Sequence, residues 1–562
     1  MHVYVNQAGY LPGSKKIAVL AESTEQRKEL CCQQNKTVQL VDEAGDIVFE
    51  TEAVYKGLDD AAGDVVWQAD FTEFNRQGVY RVKGAEDACS VSFRIGEGIY
   101  GELNALLCKA LYFQRCGMAL ESTYAGIFAR TTCHEEDAVL YTEYAAMDGD
   151  NADALQHFEV KGGWHDAGDF GRYPTAAATA LGHILYAWKW FPESFSGELN
   201  IPESGNGIPD ILNECLYELK WLLKMQREDG SVWHKLTTLR HADFVMPCDD
   251  KGQLLLFPVS SMAVGDFAAV MALASRIYKD YESGFAGQAL EAALKAWKWL
   301  EDNPEYLGFA NPEGCNTGEY GDGSDKDERF WAAAELYYAT GDEKYLRAAE
   351  VYMNDCMDKT GLGWADMAGF GGLALLDGMI TGREPACALE ERLQEAYKEY
   401  YLQEASRLMQ IIEKCGYGVA LGAGEYCWGS NMCVLNRGII LATAYLLSGN
   451  EGYKNGALYQ MDYLLGVNAV GYSYVTGVGE HAYAHPHNRV TEADGIEETI
   501  PGFVSGGPNG VPADDTAKEI LAPGTPPMKC FLDRWECYSL NEITIYWNSP
   551  AIFLAAFLNE NK

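Results

Sequence analysis

At Gly96-Glu97-Gly98 the spacing of apolar residues changes from short alternating runs to a helical period, and this switch divides what the chain can fold into. Before it stand β-branched and aromatic runs separated by turn residues: Lys16 to Ala21, Thr37 to Val41, Ile47 to Ala53, Val65 to Asp70, Gly78 to Val82 and Ser90 to Ile95. Glu43-Ala44-Gly45-Asp46 between two of them reads as a hairpin turn. After the switch, Leu103, Leu106, Leu107, Ala110 and Leu111 follow the i, i+3, i+4, i+7, i+8 spacing of an amphipathic helix. The same spacing recurs from Ala176 to Trp190, Pro209 to Met225, Met262 to Tyr278, Gly287 to Leu300 and Arg329 to Thr340. It continues from Glu343 to Met357, Glu390 to Cys415, Asn431 to Leu447, Tyr453 to Leu465 and Ile543 to Leu558, with strand signals almost absent.

The first segment, residues 1–96, predicts a small β-sandwich of immunoglobulin type with a structural or docking role. The second, residues 97–562, predicts a mainly α domain. Roughly a dozen helices joined by Gly- and aromatic-rich loops suit an α/α toroid, whose loops build a cleft on one face. Lys and Arg number 43 against 82 Asp and Glu, a formal charge of −39. That balance argues against nucleic acid or an anionic membrane as partner. The N-terminus shows no apolar leader and no run reaches the length of a membrane span, so a cytoplasmic setting is expected. The 16 cysteines are irregularly spaced, and those in helical contexts, such as Cys108 and Cys215, read as reduced, buried thiols.

The chemistry concentrates in loops. Gly162-Gly163-Trp164-His165-Asp166-Ala167-Gly168-Asp169-Phe170-Gly171 has too many glycines for a helix or strand and sets two aspartates three residues apart. It is either a turn or metal loop, or one side of a carbohydrate site. Glu542 lies in Tyr538-Ser539-Leu540-Asn541-Glu542-Ile543-Thr544-Ile545-Tyr546-Trp547, where aromatic neighbours suit a general acid. At a helix start the same glutamate would merely favour the macrodipole. His481-Ala482-Tyr483-Ala484-His485-Pro486-His487-Asn488-Arg489 gathers donors on a proline-stiffened loop, and Pro501 to Asn509 forms a rigid loop fit for a cleft floor.

Together these segments resemble glycoside hydrolase family 9. They stand in its order, with Ser473 to Gly477, Gly205-Asn206-Gly207-Ile208-Pro209-Asp210 and Trp428-Gly429-Ser430-Asn431 among them. Val5-Asn6-Gln7-Ala8-Gly9-Tyr10 resembles the start of the immunoglobulin-like module found in many members. The resemblance covers essentially the whole chain. It implies an (α/α)6 barrel and inverting hydrolysis of β-1,4-glucosidic bonds in β-glucans or cello-oligosaccharides. By position, Asp169 would be the general base, Asp166 would hold the attacking water, and Glu542 would be the general acid. An inverting site places its two carboxyls roughly 6.5–9.5 Å apart to admit that water, a span for segments distant in sequence. His487 and Arg489 would contact the sugar beside the scissile bond, Tyr538 and Trp428 would be stacking platforms, and His234 a further subsite residue. The chain departs from the family at His481, where Asn, Lys or Arg is usual, at Asn488, where a second His is common, and in a long Pro-rich insert between Asn509 and Tyr538. These departures bear on subsite preference.

Cys116, Cys133, His134 and His157 form Cys-x16-Cys-His-x22-His, a donor set suited to structural zinc or a chance grouping of buried thiols. His165 competes for the fourth place. The family resemblance implies a zinc there. Asp322 to Glu328 is either an acid-rich helix start or a cation loop. The resemblance makes Asp327, Glu328 and Asp366 calcium candidates; no organic cofactor is expected. The alternatives are an exo-acting β-glucosidase or β-glucosaminidase, a zinc hydrolase and a non-catalytic carbohydrate-binding protein. Four protein ligands would leave a zinc no open position, and a mere binding protein would have no need of all three acids.

Overall fold

The computed structural model describes residues 1–23, 34–84, 88–147 and 155–561. Seven strands come first: β1 (His2–Tyr4), β2 (Ile17–Ser23), β3 (Lys36–Asp42), β4 (Ile47–Asp59), β5 (Asp64–Asp70), β6 (Gly78–Lys83) and β7 (Phe93–Ile95). They form one antiparallel sheet in the order β1-β2-β5-β4-β3-β6-β7. The first half of β4 pairs with β3 and its second half with β5, with Ala53 in both registers. One long strand thus links β3 on one side to β5 on the other within a single sheet. Alternate side chains, among them Leu20, Leu40, Trp67, Val82 and Phe93, enclose a single core.

Twelve helices of 13 residues or more follow among the described residues: α1 (Ile99–Phe113), α2 (Pro174–Trp190), α3 (Asp210–Lys224), α4 (Ser261–Ile277), α5 (Ser283–Asp302) and α6 (Lys326–Thr340), then α7 (Glu343–Asp355), α8 (Ala368–Thr381), α9 (Ala388–Lys414), α10 (Ser430–Ser448), α11 (Glu451–Leu464) and α12 (Ile545–Glu560). Three two-residue strands, β8 (Val139–Leu140), β9 (Leu236–Thr237) and β10 (Leu255–Leu256), form a small sheet with β10 in the middle. Elements that short leave no periodicity to read.

The chain packs as two compact units. One comprises Met1–Ala110, Leu402–His487 and Glu497–Lys562; the other comprises Leu111–Tyr401 and Asn488–Ile496. In the first, Asn6 organises the N-terminal turn. Its Oδ1 accepts the N–H groups of Ala8 and Gly9, and its backbone N–H donates to the Tyr10 hydroxyl. Asn6 Nδ2 then donates to Asp462 at the end of α11, 2.7 Å away, tying the sheet to the helices of the same unit. Helix α10 packs on α11 and α12. It is the one helix among the described residues long and apolar enough to cross a membrane, yet 67 % of it is buried within the protein. In the second unit α4 is apolar on nearly every face and packs against α2, α5 and α6. Gly265 permits the α4–α6 approach, because a Cβ there would lie 2.6 Å from that of Glu328.

Candidate active site

The second unit holds the Gly162–Gly171 loop. Gly162 and Gly163 have φ of 115° and 79°, and a Cβ on Gly163 would strike the Trp221 ring at 2.7 Å. Two acids one turn apart on α3 anchor the adjoining Trp164: Glu218 accepts its backbone N–H and Glu214 accepts its indole N–H at 2.8 Å. Glu214 in turn pairs with the buried Arg115. Arg172 donates to the carbonyls of Val160 and Gly162, and the Asp166 N–H closes the loop on the Gly171 carbonyl at 2.9 Å.

This loop buries both aspartates; Asp166 is 1 % and Asp169 6 % exposed. Their environments differ. Asp166 accepts a hydrogen bond from the Tyr320 hydroxyl, while its Oδ1 has no partner among the described residues. Burial, reinforced by the charge of Asp169, pushes its carboxyl well above the usual range despite the Tyr320 bond. Asp169 Oδ2 lies 3.1 Å from His241 Nδ1 and accepts the Gly171 N–H at 3.1 Å. Burial alone would raise this carboxyl too, but His241, Arg489 and the Gly171 N–H together hold it well below its ordinary value. The two settings therefore push the neighbouring carboxyls in opposite directions, Asp166 up and Asp169 down.

Tyr320 and His241 carry no motif that sequence reasoning could have isolated. Tyr320 does carry a conformational mark, since at φ 48° it occupies the left-handed region that bulky residues avoid. Tyr173 and Trp364 pack against its ring, with centroids 4.6 and 5.0 Å away. Arg489 is buried here as well. Its backbone N–H bonds the Gly168 carbonyl at 2.9 Å, its Nε the Ala242 carbonyl at 2.8 Å, and its guanidinium lies over Phe244. It thereby joins the loops carrying Asp169 and His241, a brace that the expectation of a sugar contact had not included.

The first unit holds Glu542. The residue is half-buried and ends the short turn Tyr538–Asn541, two positions ahead of Thr544, the N-cap of α12. It thus stands outside the first turn of α12, where a carboxylate would serve only the helix dipole. His487 pairs with it strand-fashion, and the Gly506 N–H donates to its carbonyl at 2.9 Å. His487 Nδ1 is 2.6 Å from the Trp535 carbonyl, and its ring lies 5.7 Å from that of Tyr538. Tyr538 in turn packs against Trp428 at 5.2 Å, and Trp428 is 46 % exposed. Ser430 and Asn431 bond the carbonyls of Pro508 and Ser505, so the Trp428 motif and the Pro501 to Asn509 loop brace each other.

His234 is placed otherwise than expected. It is fully buried, stacks on Phe309 with centroids 4.0 Å apart, and uses Nδ1 on Ser260 Oγ and Nε2 on the Glu319 carbonyl. Both ring nitrogens are committed, so it packs the loop rather than meeting a sugar.

Cys116, Cys133, His134 and His165 bring their donor atoms within 4.8 Å of one another, all buried. His157 is exposed and outside this group. The correction has a plain cause: the buried loop carries His165 inward, whereas His157 precedes it on a surface segment. Two thiols and two imidazoles match tetrahedral zinc, and Asp250, 3.4 Å from His134 Nε2, is placed to orient that ring. His134 also has a positive φ, 47°. A second group joins Asp322, Asp327 and Glu328. Burial raises all three carboxyls, helped at Asp322 and Glu328 by the charge of Asp327 and at Asp327 by that of Asp325, a crowding that a bound hard cation would relieve. Asp366 falls outside this group. Its Oδ1 accepts the Ala368 N–H at the start of α8, and Asp322 stands in its place.

Two buried aspartates in one glycine-rich loop, together with a half-buried glutamate that pairs with His487 next to Tyr538, are the kind of acid groups that glycoside cleavage uses. The chain belongs to glycosyl hydrolase family 9, whose model matches residues 100–555, and the model of the cellulase N-terminal ig-like domain matches residues 1–88. A cellodextrinase of Butyrivibrio fibrisolvens is 41 % identical, over 98 % of each chain. AaCel9A, solved with a cellobiose-like isofagomine, superposes with a TM-score of 0.89 at 31 % identity, each chain covered in full. A Zn-binding triple mutant of the family 9 endoglucanase J30 gives 0.88 at 31 %, over 98 % of this chain and 100 % of that one. The protein is thus an O-glycosyl hydrolase of cellulase type, with the (α/α)6 fold of its family preceded by an immunoglobulin-like sheet module.

Proposed function

We propose that the protein cleaves β-1,4-glucosidic bonds of cello-oligosaccharides with inversion, Asp169 acting as base and Glu542 as acid. Water attacks the anomeric carbon as Asp169 takes its proton, while Glu542 protonates the departing glycosidic oxygen. The new C–O bond forms on the face opposite the one that breaks, so the product carries the inverted anomeric configuration. Asp166, tied to Tyr320 and pushed up by its burial, orients the water while Asp169 takes the proton. Trp428 and Tyr538 supply ring faces for the apolar faces of glucose units, with His487 beside them. Preference for short soluble chains is supported by the likeness to a cellodextrinase over nearly the whole length of both proteins.

The observation that carries this reading is the pair of buried aspartates in one loop with unlike partners, Asp166 held by the Tyr320 hydroxyl and Asp169 by His241 and the Gly171 N–H. Zinc on Cys116, Cys133, His134 and His165 would be structural, because four protein ligands leave no position for water. It would pin His165 and so the backbone of Asp166. A calcium ion on Asp322, Asp327 and Glu328 would order the loop that carries Tyr320. Cellotetraose hydrolysis followed by NMR with anomer detection tests the reading, using Asp169→Asn and Glu542→Gln alongside the wild type. Retention of configuration, or full turnover in either variant, would overturn it.

A further inference from the structure

We infer that Gln114 is a positioning residue for Asp166, gripping the backbone on both sides of that acid. The inference rests on the reading of Asp166 as part of the base side. Gln114 directly follows α1 and is 3 % exposed. Its Nε2 donates to the carbonyl of His165 at 3.1 Å and to that of Ala167 at 2.9 Å, the two residues flanking Asp166. Its own carbonyl accepts the His165 N–H at 2.7 Å. Next to it, the Cys116 N–H bonds the Gly163 carbonyl at 2.7 Å, and Arg115 pairs antiparallel with Trp164. Segment 114–116 therefore serves as the strand that the glycine-rich loop lacks.

Two features make this more than packing. A carboxamide is the uncharged side chain that offers two N–H donors from one nitrogen, which two carbonyls bracketing a single residue require. Leucine fills similar space and offers none. Moreover, among the described residues Asp166 has Tyr320 as its one side-chain partner and none at Oδ1, so its aim is set largely through its backbone. Glu214 and Glu218 grip Trp164, two residues before Asp166, and the Asp166 N–H is taken by the Gly171 carbonyl, while the two carbonyls that flank Asp166 are held by Gln114.

The test compares Gln114→Leu and Gln114→Glu with Gln226→Leu, since Gln226 likewise donates to two carbonyls, those of Gly230 and Ala292, outside the base side. Gln114→Leu should lower kcat on cellotetraose by as much as ~100-fold with KM unchanged, the signature of a displaced reacting group. Gln226→Leu should lower Tm and leave kcat alone. Gln114→Glu keeps the shape but loses both N–H donors, so its kcat should fall with KM unchanged as in Gln114→Leu. Wild-type kcat in Gln114→Leu, or an equal kcat loss in Gln226→Leu at matched Tm, overturns the inference. Where Gln114→Leu does not fold, wild-type kcat in Gln114→Glu overturns it. Asp166→Asn in the same assay separates the two levels. Full kcat there defeats the role of Asp166 itself; loss there with intact Gln114 variants defeats only the positioning.

Discussion

Tyr320→Phe isolates one hydrogen bond in the base pair. The ring keeps its contacts with Tyr173 and Trp364, so the change removes the hydroxyl and little packing. The variant is left with a buried Asp166 carboxyl that has no side-chain donor, because Oδ1 is already without a partner among the described residues. Leaving a buried acceptor unsatisfied costs about 1–3 kcal/mol. The positive φ of Tyr320 adds strain of about 1–3 kcal/mol, tolerated while the hydroxyl is held and unrewarded once it is gone. If the lost bond orients the carboxyl for the transition state, a tenfold rate loss per ~1.4 kcal/mol converts it to a fall in kcat of roughly 5- to 150-fold. The expected signature is that fall with KM little changed and Tm within a few degrees, measured by initial rates on cellotetraose and by calorimetry. Wild-type kcat would refute the reasoning, and so would a rise in KM at constant kcat, which would mark Tyr320 as a plain substrate contact.

His241→Ala removes the principal group that offsets burial at Asp169, so the base titrates higher and the acid limb of kcat/KM moves to higher pH; an unmoved limb would remove His241 from the base side. His165→Ala should abolish stoichiometric zinc, read by elemental analysis, and lower Tm, whereas His157→Ala should keep one zinc per chain; the reverse result would restore the spacing-based ligand set. Asp462 is fully buried, and its pKa is raised by that burial to about 7, with the Asn6 hydrogen bond opposing. A carboxyl whose folded value lies above its unfolded value favours the fold when protonated, so that contribution declines as pH rises from about 4 through 7. Tm measured from pH 5 to 8.5 should therefore fall less for Asp462→Asn than for the wild type, and parallel curves would exclude this group as the cause.

Element type was legible over most of the chain, because burial of one face imposes a period and twelve long helices repeat it. The helix expected from Ile543 to Leu558 lies at Ile545–Glu560, where Thr544 caps it. Gly162-Gly163 and the acids beyond them stood out for another reason, since so many glycines exclude helix and strand, and the family resemblance then separated a catalytic loop from a turn or metal loop. Tyr320, His241 and Gln114 left no such trace. Each is an ordinary residue whose role comes from a partner at least 51 positions away. His234 errs in the opposite direction: a histidine beside an aromatic run reads the same whether its nitrogens meet a sugar or Ser260 and Glu319.

The sequence by itself determined the layout of a β module followed by helices, because periodicity survives in one dimension, and its motifs, through their resemblance to the family, marked the three candidate acids and a set of thiols and imidazoles. Only the tertiary structure decided which aspartate is pushed up and which down, which histidine completes the thiol cluster, and which side chains brace the loop. Burial and hydrogen bonding set those outcomes, and both depend on what the folded chain brings within about 3 Å, across separations that no local pattern records.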